Sequence, residues 1–325
     1  TDDTKQLYGT NTENWKAGIA GPVKHAGIFD GEDYDARELP GYLTPEKLSS
    51  PEINTEFNGV ILPTNGAEVY HRHDIALARK EAYVWEGVTG ETLVDYGTII
   101  IKKNFTIDEP IVVNPGETLV VDFGQNCAGV PSFTFNAAEG TELTCLPSEI
   151  LNDGNGATSR GMDGPEGSTH RKNLRMQDVF FKLKYIFAKS DQPVNYKPKC
   201  TFFGYRYVSI KVTDTVTIDK IESIPVTSIH KDLETGKIST GYDLVNKLIS
   251  NTYWGQLSNY LSVSTDCPQR NERLGWTADT QVFTETGTFF ANTNNFFHKF
   301  IYCYFFIHTA FMIIITNNRY NSIIF

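Results

Sequence analysis

Between residues 265 and 281 the chain reads TDCPQRNERLGWTADTQ, a stretch too polar for a core and too aromatic for an ordinary solvated loop. Each of its side chains has a chemical use. Asp266, Glu272 and Asp279 are carboxylates able to accept hydroxyl hydrogens. Arg270 offers a forked donor that holds a carboxylate or a pair of hydroxyls. Trp276 supplies a flat apolar wall, Gly275 permits close backbone approach, and Pro268 stops a preceding helix from continuing. Carboxylates beside a Trp at helix ends make a pocket for a polyhydroxylated ligand, with the ring covering the CH face of a sugar. A carboxyl desolvated by Trp276 would be raised in pKa, as a general acid requires. The bland alternative is a helix-connecting loop whose Asp and Arg cap helices and pair with one another. Spacing alone leaves both readings open.

The elements that must hold this stretch follow from patterning. Residues 1–97 are punctuated by Gly21-Pro22, Asp30-Gly31, Pro40-Gly41, Asn58-Gly59 and Asn65-Gly66 between short apolar runs. That rhythm predicts short strands and long loops. Residues 98–228 carry β-branched and aromatic runs such as TIIIKKNFTI, PIVVNPGETLVVDF and GYRYVSIKVT. Two antiparallel β-sandwich domains are expected, a partial one over 1–97 and a second over 98–228. Near residue 238 the period changes. Leu244, Val245, Leu248, Ile249, Trp254, Leu257 and Leu261 recur at spacings of three and four, predicting a helix with one buried stripe. A second helix holds Val282, Phe283, Phe289 and Phe290, with Thr277 or Thr280 as its cap, and a third element begins at FFHKF.

Composition narrows the function classes. Of the 325 residues, 40% are hydrophobic and 21% charged, as in a soluble globular chain. The net charge of −10 and the absence of a basic cluster make nucleic acid and anionic membranes poor partners. Aromatics at 13% suit a sheet-rich protein or one that handles sugars. Cys127, Cys145, Cys200, Cys267 and Cys303 form no CxxC pair and suggest neither zinc nor a disulfide framework. His71 and His73 would share a strand face, but two ligands without a third do not make a metal site. Glu32, Asp33 and Asp35 read as structural or turn residues. No cofactor is expected, and the compartment is left open.

The run from Asp266 to Asp279 closely resembles the signature of bacterial-type α-L-rhamnosidases, glycoside hydrolase family 78, written around DCPQRDERLGWTGD. GIFDGEDYDARE (27–38), VVDFGQNCAGV (120–130), Glu149, DGPEGS (163–168) and TFFGYRYV (201–208) resemble the β domains that precede the family's catalytic barrel. The likeness covers about residues 20–300. It implies a multidomain chain: two N-terminal β-sandwich domains, then the first helices of an (α/α)6 barrel from residue 229 to 300. It also implies an inverting glycosidase that removes terminal α-L-rhamnose from a glycoside or polysaccharide. By the same resemblance Glu272 is the general acid, and Asp266, Arg270, Trp276 and Asp279 line the sugar site. Asn271 and Ala278 depart from the usual Asp and Gly. The family's general base is a Glu from later in the barrel, so none is assigned and this chain alone is expected to be inactive. The competing class is a non-catalytic carbohydrate-binding β protein.

The tail, residues 301–325, is dominated by Ile, Phe, Tyr and Asn where the family would continue with an amphipathic helix. Its apolar run falls short of a membrane span and reads as non-native sequence in preference to an anchor.

Overall fold

A computed structural model describes residues 11–19, 21–39, 41, 43–53, 55–56, 68–87, 97–155, 164–171, 181–270 and 272–302. Asn271 and all but the first two residues of the apolar tail lie outside this set, as does Asp163 of the DGPEGS motif.

Most of the described chain before residue 228 is β. The principal strands are β1 (Val23–Gly27), β2 (Gly31–Asp35), β3 (Glu81–Glu86), β4 (Ile100–Phe105) and β5 (Thr118–Ala137). They are followed by β6 (Glu142–Ser148), β7 (Lys182–Ile186), β8 (Phe203–Val212) and β9 (Val216–Thr227). All belong to one 13-stranded sheet, ordered β1-β2-β7-β6-β8-β5-β9 along its main path. The 20-residue β5 is its spine, pairing antiparallel with β3, β8 and β9. Strands from both sides of the expected 97/98 division share this sheet. β3 pairs with β4, and β2 runs parallel to β7.

Alternation explains the core. Along β6 the burial pattern places Leu143 and Cys145 inside with exposures of 1% and 0%. Leu119, Val121, Phe133, Phe135, Phe203, Tyr205, Val208 and Ile210 join them in one cluster. Phe135 meets Phe187 and Tyr185 edge-on at centroid distances of 4.6 and 4.8 Å, an arrangement that ring quadrupoles favour. Asp35 pairs with Arg37 at 2.7 Å, and Glu32 is buried where it accepts from the Tyr196 hydroxyl and from the Lys199 and Cys200 amides. These carboxylates hold the turn and sheet edge.

Two helices follow: α1 (Asp243–Asn259) and α2 (Thr277–Phe290), with further helical turns over 294–302. Only the C-terminal end of α1 is buried, at Gln256, Leu257 and Ser258. Leu244 and Leu248 are 86% and 65% exposed, so the expected stripe is buried over its last turn alone. Leu257 of that stripe is buried in a small core with Ile229, Tyr260, Ala291 and Phe296. The helix also stops earlier than its periodicity suggests. Tyr260–Leu261 and Val263–Ser264 form a two-residue-per-strand hairpin, turned at Ser262 with φ 67°. Among the described residues no helix is long and apolar enough to cross a membrane.

Candidate active site

The loop between the helices starts from this hairpin, which is fastened to the end of β9. Ser262 N–H donates to Ser228 Oγ at 2.8 Å, and Ser228 N–H to the Tyr260 carbonyl at 2.6 Å. Asp266 then closes the loop on itself. Its backbone N–H donates to the Leu274 carbonyl at 3.1 Å, and its Oδ1 accepts the Leu274 N–H at 2.8 Å. The other oxygen, Oδ2, accepts from Arg270 Nη2 at 3.1 Å. Burial works against the Asp266 charge. Hydrogen bonds from the Cys267 and Leu274 side and the nearby Arg270 outweigh it and hold this carboxyl below the usual carboxylate range.

Arg270 is the junction of the site. Its Nη2 lies 3.4 Å from Glu272 Oε2 as well as 3.1 Å from Asp266, so one guanidinium serves two carboxylates. Its Nε points to Cys267 Sγ at 3.4 Å, a partner that the cysteine spacing alone did not suggest. Trp276 donates its indole N–H to Glu272 Oε1 at 3.1 Å. Trp276 is 50% exposed, and this contact uses the polar edge of its ring.

Trp276 is also the N-cap of α2, without a side-chain capping bond. Neither Thr277 nor Thr280 caps the helix; Thr280 Oγ1 donates back to the Trp276 carbonyl at 2.9 Å. Asp279 falls in the first turn of α2, where the helix dipole favours a negative charge. Asp266 and Asp279 meet on the wall of a cleft of ≈ 570 Å³ between α1 and α2, together with Thr252, Gln256, Tyr260 and Phe283. Glu272, Arg270 and Trp276 do not line this cleft. They join it through Asp266. Gly275 does sit at a close approach, since a Cβ there would stand 3.0 Å from the Phe300 ring.

The other sequence candidates separate from this cluster. His71 Nδ1 and His73 Nε2 both face Lys197 Nζ, at 3.3 and 3.2 Å. Among the described residues no group of three or more His, Cys, Asp or Glu could hold a metal ion. The sequence assigns no role to Arg273, the second arginine of the loop. Nothing in its spacing distinguishes it from Arg270, and only the fold separates the two.

A large β sheet thus leads into helices, with carboxylates, an arginine and a tryptophan gathered at their first junction. Two domain models match it: the bacterial α-L-rhamnosidase concanavalin-like domain over residues 113–227, and the bacterial α-L-rhamnosidase six-hairpin glycosidase domain over 233–304. The chain belongs to the bacterial α-L-rhamnosidase family. An α-L-rhamnosidase of Alteromonas sp. (strain LOR) is 28% identical over 303 residues, which is 93% of this chain and 28% of that protein. Two solved structures share the fold. The native α-L-rhamnosidase of Aspergillus terreus has a TM-score of 0.63 at 22% identity, over 92% of this chain and 30% of that one. The Streptomyces avermitilis α-L-rhamnosidase complexed with L-rhamnose has a TM-score of 0.59 at 24% identity, over 86% and 23%. The chain thus spans under a third of the length of each of these relatives.

Proposed function

We propose that the whole protein is an inverting α-L-rhamnosidase acting on rhamnose-containing glycosides or polysaccharides, with Glu272 as the general acid. The observation that carries this reading is the Arg270 bridge: one guanidinium holds Asp266 at 3.1 Å and Glu272 at 3.4 Å, while Trp276 takes the other Glu272 oxygen. In this arrangement Asp266 and Asp279 on the cleft wall accept sugar hydroxyls, while Arg270 and Trp276 fix the acid beside it. Helices α1 and α2 open an (α/α)6 barrel, and the β region before residue 228 supports it.

Protonated Glu272 gives its proton to the glycosidic oxygen as the bond to the anomeric carbon breaks. Water, activated by a base on the opposite face, attacks that carbon, and the sugar leaves with inverted configuration. Inverting pairs stand roughly 6.5–9.5 Å apart to leave room for this water. No residue of this chain is assigned as the base, and by this reading the 325 residues alone turn over no rhamnoside. The test is proton NMR of the sugar released by the whole protein in the first minutes of reaction. β-L-Rhamnose appearing first and then mutarotating is expected; α-L-rhamnose appearing first would contradict the inverting assignment.

A further inference from the structure

The loop from 266 to 276 buries its side chains in an unusual order. Leu274 is 51% exposed, whereas the neighbouring Arg273 is 8% exposed, and Cys267 is the other buried side chain among the loop's described residues. A charge is placed inside only where something compensates it. Here no described carboxylate closes on Arg273. Its guanidinium carbon instead stands 4.4 Å from the ring centroid of Phe202, 5.4 Å from Phe29 and 5.8 Å from Phe181. Ring faces attract a cation most strongly when water is excluded. Nη1 donates to the Ile28 carbonyl at 2.6 Å and the Phe202 carbonyl at 3.4 Å, and Nε donates to the Arg270 carbonyl at 2.9 Å.

The three carbonyls come from separate stretches of chain: the turn before β2, the residue before β8, and the loop itself. The bond to Arg270 spans the segment that carries both Arg270 and Glu272. Arg273 also adopts φ 42°, a left-handed conformation that a residue with a Cβ holds only when its surroundings enforce it.

We propose that Arg273 is the positioning residue of the site: its guanidinium, sealed between Phe29, Phe181 and Phe202, ties the 270–273 backbone to the β domain and so delivers Glu272 to Arg270 and Trp276. Burial pushes the Arg273 pKa down to about 10, which leaves it charged at neutral pH. A lysine cannot reproduce the role, because its point-like head does not offer the guanidinium's forked donors to three carbonyls. The role of Glu272 in catalysis rests on the preceding proposal, but its placement by Arg273 can be measured without turnover.

The probe is the Trp276 indole N–H in ¹⁵N-labelled chain, distinguished from those of Trp15, Trp85 and Trp254 by Trp276→Phe. In the parent, Glu272→Gln moves this resonance, because the indole donates to that carboxylate. In Arg273→Met and Arg273→Lys the resonance should move by itself, and adding Glu272→Gln should move it no further. Amide resonances of β5 and β8 report whether the variants fold. Should Arg273→Met fail to fold, Phe202→Leu removes the nearest ring from the β side and should displace the same resonance. A Trp276 signal at its parental position in the folded variants, still responsive to Glu272→Gln, would overturn the proposal. In the whole protein Arg273→Lys should lower kcat on the order of 10²-fold, the scale of a misplaced catalytic group, with KM little changed. Activity indifferent to Glu272→Gln would remove the catalytic reading and leave the NMR result standing.

Discussion

Gly204 on β8 and Gln269 of the interhelical loop are in backbone contact: a Cβ on Gly204 would stand 2.8 Å from the Gln269 amide nitrogen and 2.9 Å from its Cα. The sheet is therefore the floor on which the loop rests. Gly204→Ala should force loop and strand apart, at a cost of about 1–3 kcal/mol for overpacking. The expected result is a melting temperature lowered by several degrees together with a displaced Trp276 indole resonance. An unchanged melting temperature would mean that the two backbones yield freely.

A second joint links sheet and helix. Arg72 is 2% exposed and donates to Asp74, to Glu234 at 2.7 Å and to the Ile229 carbonyl, while Glu234 also accepts from the Tyr253 hydroxyl of α1 at 2.5 Å. Burial opposes the Arg72 charge, but the two carboxylates prevail and hold its pKa above the ordinary arginine value. Glu234→Ala leaves a buried cation short of a partner and should cost about 3–5 kcal/mol in denaturant unfolding. Asp74→Ala, at the more exposed partner, should cost less. Equal losses would show that Arg72 does not depend on the bridge to α1.

The depressed pKa of Asp266 fixes the sign of a pH effect. Its stabilising contribution is fully present above the unfolded value near 3.8 and is lost as pH falls through the lower folded value. Titrating the Trp276 indole resonance from pH 6 downward, on the order of one unit per step, should show the loop holding past the unfolded value before it opens. Asp266→Asn should abolish that acid limb. An indole resonance whose acid transition is the same in Asp266→Asn would contradict the assignment.

Helix α1 makes opposite predictions for two leucines on one sequence stripe. Leu257 is 2% exposed and Leu248 is 65% exposed. Leu257→Ala should destabilise the chain by about 2–5 kcal/mol. Leu248→Glu should leave the melting temperature within a degree or so and raise solubility, because it breaks an exposed apolar face. A large loss of stability from Leu248→Glu would show that this face is packed in solution.

The sequence reveals some of this and conceals the rest for identifiable reasons. Turn residues and β-branched runs announce the strands, since alternation is local. They do not disclose that Glu81–Glu86 and Ile100–Phe105 pair within the same sheet, because pairing is non-local. The spacing of α1 reads correctly as a helix, but periodicity gives a face, not what covers it. The loop composition gathers Asp266, Arg270, Glu272, Trp276 and Asp279 in one segment. It could not show that Trp276 reaches Glu272 through its N–H, or that Asp266 and Asp279 line one cleft while Glu272 stands outside it. Arg270 and Arg273 are equivalent as letters. A positive φ and a cage of three phenylalanines, all far from the loop in sequence, decide which one turns inward.

The central claim, that Glu272 supplies the proton to the leaving group, is tested most directly by comparing kcat/KM of the whole protein and its Glu272→Gln variant on two substrates. One is a natural rhamnoside with a poor leaving group, the other an aryl α-L-rhamnoside with an activated one. General acid catalysis contributes ~10²–10⁴-fold, so the variant should lose activity on the natural substrate by that factor and considerably less on the activated one. Near-parental turnover of the natural rhamnoside by Glu272→Gln would contradict the account.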